Sequence, residues 1–95
     1  MAAYAIMDVD VHDIADYLAY QKKLAPLLDS AGARYLARGG ESRVYQGCYE
    51  PCRLMLLEFP SLAIMDEFFK SEAYQALRAQ RDACSTSRIV AVAGL

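Results

Sequence analysis

The sequence predicts an α+β domain with the element order strand, helix, strand, strand, helix, strand, built on a four-stranded antiparallel sheet with its helices on one face. Three observations lead there. Tyr4 to Val11 alternates, with Ala5, Met7, Val9 and Val11 on one side and Tyr4, Ile6, Asp8 and Asp10 on the other, the period of two that marks a strand. Ile14, Tyr17, Leu18, Leu24, Ala25 and Leu28 recur at helical spacing, so Ile14 to about Ser30 reads as an amphipathic helix. Strand-like and helical patterns then recur in the second half of the chain, and this order is the split βαβ, ferredoxin-like arrangement. Right-handed crossovers place its first and third strands in the centre.

Each element has a local cause. Asp13 is a good N-cap, because its carboxylate can accept from the first free helix amides. Gln21 interrupts the apolar stripe of the first helix, either as a buried amide with a partner or as part of a cavity wall. Tyr20 sits beside the stripe, within reach of water or a ligand. Pro26 removes a donor and should loosen the last turn, and Gly32 supplies the left-handed residue that commonly ends a helix. The stretch Ala33 to Gly47 reads as two strand-like runs joined by Gly39-Gly40, a strand that bends or bulges at the glycines. Cys48 to Pro51 is a turn. Arg53 to Phe59 is apolar on both faces apart from Glu58, as expected of a central strand. Ser61 caps a short helix with Met65, Phe68 and Phe69 on its apolar side, and Ser71 caps another from Glu72 to about Asp82. Ala83 to Ser87 reads as loop, and Ile89 to Ala93 as a last strand of small and β-branched residues.

A chain of 95 residues makes one domain, residues 1–95. Its hydrophobic content of 56% exceeds what one small core needs, which points to apolar surface covered by a second copy. Helices on one sheet face leave the other bare, with Tyr4, Ile6, Leu54 and Leu56 on it, and a two-fold homodimer is the common way to cover such a face. A net charge of −2 without a basic stripe gives no nucleic-acid footprint. No apolar run approaches the ~20 residues of a membrane span, and no export signal is evident. Cys48, Cys52 and Cys84 then read as reduced thiols of a cytoplasmic protein. One histidine, His12, and a three-residue gap between Cys48 and Cys52 argue against a metal site.

The candidate site residues carry competing readings. Arg38, beside Gly39 and Gly40, offers a planar fork to a carboxylate, or pairs with Glu58 on the neighbouring strand. Glu58 is the candidate general base, since desolvation raises a carboxylate toward working pH; otherwise it is an ion-paired strand end. His12 is the side chain that titrates near neutrality unperturbed, or a solvated turn histidine. Tyr20 and Tyr74 can hydrogen-bond a ligand oxygen or pack as ordinary amphipathic tyrosines. Arg81, with Arg78, follows Tyr74 along one helix flank, as a ligand contact or on a solvated face.

The chain resembles the family called domain of unknown function 1330, within the dimeric α/β-barrel superfamily. The likeness is carried by Asp16-Tyr17 with Tyr20, Leu36-Ala37-Arg38-Gly39-Gly40, Glu58-Phe59-Pro60-Ser61, and Ser71-Glu72-Ala73-Tyr74-Gln75 followed by Arg81. It covers nearly all of the chain. The sequence departs from the pattern at Ala33, where a second glycine is usual, and at Cys48-Tyr49, where an acidic residue and tryptophan are usual. The resemblance implies a homodimer whose sheets pack face to face, a pocket between sheet and helices, and no established reaction. Three functional readings follow: a binder of a small organic acid or polar metabolite through Arg38, Glu58 and Tyr20; a cofactor-independent enzyme of monooxygenase or isomerase type; or an assembly module. No cofactor is expected, because an absent tryptophan and a single histidine leave few groups for oxygen or haem chemistry.

Overall fold

The computed structural model describes residues 1–95. It contains β1 (Ala3–Val11), α1 (Ile14–Ser30), β2 (Arg34–Arg38), β3 (Leu54–Phe59), α2 (Leu62–Lys70), α3 (Glu72–Cys84) and β4 (Ser85–Ala93). The sheet order is β2-β3-β1-β4, antiparallel throughout. This is the ferredoxin-like arrangement, with β1 and β3 in the centre.

The period of two becomes a core directly. Ala3, Ala5, Met7 and Val9 of β1 and Met55, Leu57 and Phe59 of β3 are buried with Tyr17, Tyr20, Leu24 and Leu28 of α1 and Met65, Phe68 and Tyr74 of α2 and α3. The opposite sheet face carries Ile6, Val90 and Val92, which are 39%, 62% and 54% exposed. A thickness of 17 Å leaves room for one sheet layer and one helix layer.

The caps sit where the side chains call for them. Asp13, Ser61 and Ser71 accept from the amides of Asp16, Ile64 and Tyr74. Gly32 has φ +72; its amide donates to Asp29, and that of Ala33 to Leu28. That pair of bonds is a Schellman ending, which requires the left-handed residue. Pro26 does not interrupt α1, which runs on to Ser30.

Two elements differ from expectation. β2 stops at Arg38, so Glu41 to Gly47 is not a strand. Its bulge lies between Tyr35 and Ala37 rather than at the glycines. Gly39 turns the chain out at φ +70. β4 is longer than its pattern suggests: of Ala83 to Ser87, expected as loop, Ala83 and Cys84 close α3 and Ser85 to Ser87 pair with Val11 to Val9. Ladder hydrogen bonds along the whole of β1 outweigh the loop preference of a Ser-Thr-Ser run.

Asp8, on the side of β1 away from the helices, anchors the long connection between β2 and β3. It accepts from the Tyr49 hydroxyl and, through Oδ1, from the amides of Cys52 and Arg53 at 2.9 and 3.2 Å. The Tyr49 hydrogen bond, then the two amides and Arg88, hold its pKa below the ordinary 3.8 against a partial desolvation. A depressed folded-state pKa stabilises fully above about pH 4, and the contribution is lost as pH falls through the folded value. Urea midpoints at pH 7 and pH 3 test this: Asp8→Asn should be less stable than wild type at pH 7, and should lose less on acidification.

Candidate functional site

The β2 bulge separates residues that the sequence pattern groups together. Arg34 lies opposite Glu58, on the bare face of the sheet, and its Nε donates to Glu58 Oε1 at 2.8 Å. Glu58 is therefore paired with Arg34 and not with Arg38. With Leu36 unpaired, Ala37 lies opposite Leu56, and Arg38 opposite Met55 on the helix-covered face. An extra residue reverses the side of all that follow it. The Arg38 guanidinium sits 4.8 Å from the Tyr35 ring centroid.

The other candidates are also dispersed. His12 is exposed in the turn before α1, with its Nε2 2.9 Å from Thr86 Oγ1. Gly40 has open space around it, whereas Gly39 lies under Arg53: a Cβ built there would meet Arg53 Nε at 2.6 Å. Gly39→Ala should therefore cost about 1–2 kcal/mol, from the left-handed backbone together with the displaced arginine; a denaturant melt with unchanged slope checks it. Gly40→Ala should be near neutral.

Tyr20, Tyr74 and Arg81 come together beneath α3. Arg81 is not on a solvated face: it is 4% exposed, and Tyr74 is 3% exposed. Arg81 Nη1 donates to the Tyr74 hydroxyl at 2.5 Å, while Nε and Nη2 make long contacts of 3.4 and 3.3 Å with Asp82 Oδ1. Asp82 is half exposed and shared with Arg78 at 3.5 Å. Burial works against the Arg81 charge, but Tyr74, Tyr20 and Asp82 outweigh it, so the guanidinium stays protonated. Tyr20 is 1% exposed and its hydroxyl has no hydrogen-bond partner. Burial first and the neighbouring Tyr74 second push its pKa far up, with the Arg81 charge acting the other way.

Arg81 and Tyr74 line a cavity of about 370 Å³ between α2, α3 and β4. Its polar wall is completed by Asp66, Gln75, Arg78 and Ser87, and its apolar wall includes Met65, Phe69 and Ile89. Arg78 and Arg81 are its positive groups, set against Asp66 in the lining and Asp82 beside it. Gln21, in contrast to the buried-and-paired reading, has a buried Nε2 without a partner. Sequence reasoning passed over Arg53, whose Nε is likewise buried and unpartnered. An arginine heading an otherwise apolar strand was its one visible signal. Nowhere do three or more His, Cys, Asp or Glu side chains cluster as metal ligands would, and no helix is long and apolar enough to cross a membrane.

The family described as "Domain of unknown function (DUF1330)" matches residues 2–95. The chain belongs to this family. Solved structures share the architecture of this DUF1330 chain. A protein of unknown function from Rhodopseudomonas palustris is 18% identical with TM-score 0.80, over 99% of this chain and 82% of that one. A dimeric ferredoxin-like protein of unknown function from a Jannaschia species is 13% identical with TM-score 0.70, over 97% and 98%. SnoaB, a cofactor-independent oxygenase from Streptomyces nogalater, is 8% identical with TM-score 0.67, over 99% and 93%. At these identities the likeness is one of fold, which hosts many chemistries. No protein of curated description matches the chain.

Proposed function

We propose that this DUF1330 chain is a small-molecule-binding homodimer, each protomer taking a small organic acid in the cavity between α2, α3 and β4. The observation that carries this reading is Arg81. A guanidinium at 4% exposure lines an open cavity, and its one carboxylate partner, Asp82, is half exposed and held at 3.3 Å. A ligand carboxylate would complete its fork geometry, and the Met65, Phe69 and Ile89 wall suits an apolar body behind that carboxylate. Tyr74 holds the guanidinium in place.

Glu58 and His12, the groups chosen for acid–base work, both lie outside the cavity, so binding is favoured over catalysis. The similarity to an oxygenase supports only the shared fold. Dimerisation through the open sheet face is supported by its exposed Val90 and Val92 and by structural relatives described as dimeric. Three free cysteines suit the reducing conditions of the cytoplasm.

Thermal shift with benzoate and phenylacetate tests the cavity, because a ligand of the native state raises its melting point. A concentration-dependent rise in wild type and in Arg38→Gln, lost in Arg81→Met, is expected. Absence of any rise in wild type defeats the proposal.

A further inference from the structure

The geometry points to a second anion site, separate from the Arg81 cavity, in the cleft between α1 and the end of β2. Arg38 and Arg53 are its charged donors, Gln21 is its neutral donor, and its ligand class is a small oxoanion or carboxylate. Four features of the cleft carry this.

The β2 bulge turns Arg38 onto the helix-covered face, beside Tyr35. Arg53 reaches the same place from the start of β3 by lying flat over Gly39, with its guanidinium carbon 3.1 Å from where a Cβ would stand. Both positive charges act on the Tyr35 hydroxyl, against a burial that pushes its pKa up. Across from them on α1, burial and then Tyr35 push the Tyr17 pKa up, with Arg53 and the Gln21 side chain acting against them.

Each of these groups can donate, and two of the donors lack acceptors. Arg53 Nε and Gln21 Nε2 are buried without a hydrogen-bond partner, an expensive condition for a polar group. The ion pairs of the chain are made by Arg34, Arg43, Arg78 and Arg81, never by Arg38 or Arg53. Asp29 shares a groove of about 290 Å³ with Arg38 but forms no ion pair there. Two guanidinium groups outside any ion pair and an unmet amide, gathered about Tyr35 and Tyr17, call for an acceptor of negative charge. Gly39 permits it, since a side chain there would push Arg53 away.

The test is NMR on the full ¹⁵N-labelled chain, following the arginine Nε–H and glutamine side-chain signals during titration with sodium sulfate or sodium succinate. Sodium chloride keeps ionic strength constant. Saturable shifts of Arg53 Nε–H and the Gln21 amide are expected with at least one anion, and which anion saturates separates the oxoanion from the carboxylate source. Arg38→Gln, an exposed edge substitution that spares the core, should weaken binding about tenfold or more. Arg81→Met should leave these shifts unchanged. Non-saturating shifts with both anions, or an affinity unaltered by Arg38→Gln, overturn the site. Loss of the shifts in Arg81→Met overturns its independence. Because the cavity proposal is read by aromatic acids and Arg81, either can fail while the other stands.

Discussion

Ile6→Asp is expected to convert a particle of twice the 10.5 kDa chain mass into one of the single mass. Ile6 lies opposite Leu56 on one side and Val90 on the other, in the middle of the uncovered face. A stable interface buries about 800 Å² per partner, and at roughly 25 cal/mol per Å² of apolar surface this face would supply the favourable energy. A two-fold interface meets the substitution twice. Each buried, unpaired carboxylate costs at least about 3 kcal/mol, so the dissociation constant should rise more than a hundredfold. The helix-side core is untouched, so circular dichroism should be retained. Sedimentation at micromolar concentration decides: wild type at the single mass removes the dimer, and a dimeric Ile6→Asp moves the interface elsewhere.

Arg81→Met is expected to abolish the benzoate-dependent thermal shift while leaving the ligand-free melting point close to wild type. A structural arginine would behave otherwise. Burying a guanidinium costs several kcal/mol, and its neutralisation by Asp82 is long and half solvated. Replacing such a charge by an apolar chain of similar length is commonly neutral or stabilising by about 1–4 kcal/mol. Against that stands the Tyr74 hydroxyl, which loses a donor at a cost of about 1 kcal/mol. The two nearly cancel. The lost contact to a ligand carboxylate is worth about 1.5–3 kcal/mol, roughly ten- to a hundredfold in affinity. A Met variant that retains the wild-type shift refutes the assignment of Arg81.

Much of the architecture was legible in local pattern. The alternation of β1, the stripe of α1, the caps Asp13, Ser61 and Ser71, and the ending at Gly32 all arise within a few residues, and the structure has each of them. The extent of β4 was not, because Ser85 to Arg88 are held by pairing with β1, and nothing in their own composition asks for a strand. The end of β2 at Arg38 was misplaced for the same reason. Gly39-Gly40 marks a break, but whether the chain resumes pairing depends on β3, whose ladder begins only at Leu54.

The candidate site was legible as an inventory and not as a constellation. Tyr20, Tyr74 and Arg81 were singled out and meet beneath α3. Arg38, Glu58 and His12 were singled out too, and lie at three other places. One unpaired residue, Leu36, sends Arg38 to one sheet face and leaves Glu58 with Arg34 on the other.

By itself the sequence determined the element order, the helix boundaries and the existence of one apolar sheet face too many, because periodicity and capping act within a turn or a strand. The tertiary structure alone decided that Arg81 is buried, that Glu58 belongs to Arg34, and that Arg38 turns to the helix-covered face of the sheet. Those outcomes depend on register and on the packing of α1 against α3. Both are set by contacts between residues far apart in the chain, so no local pattern records them.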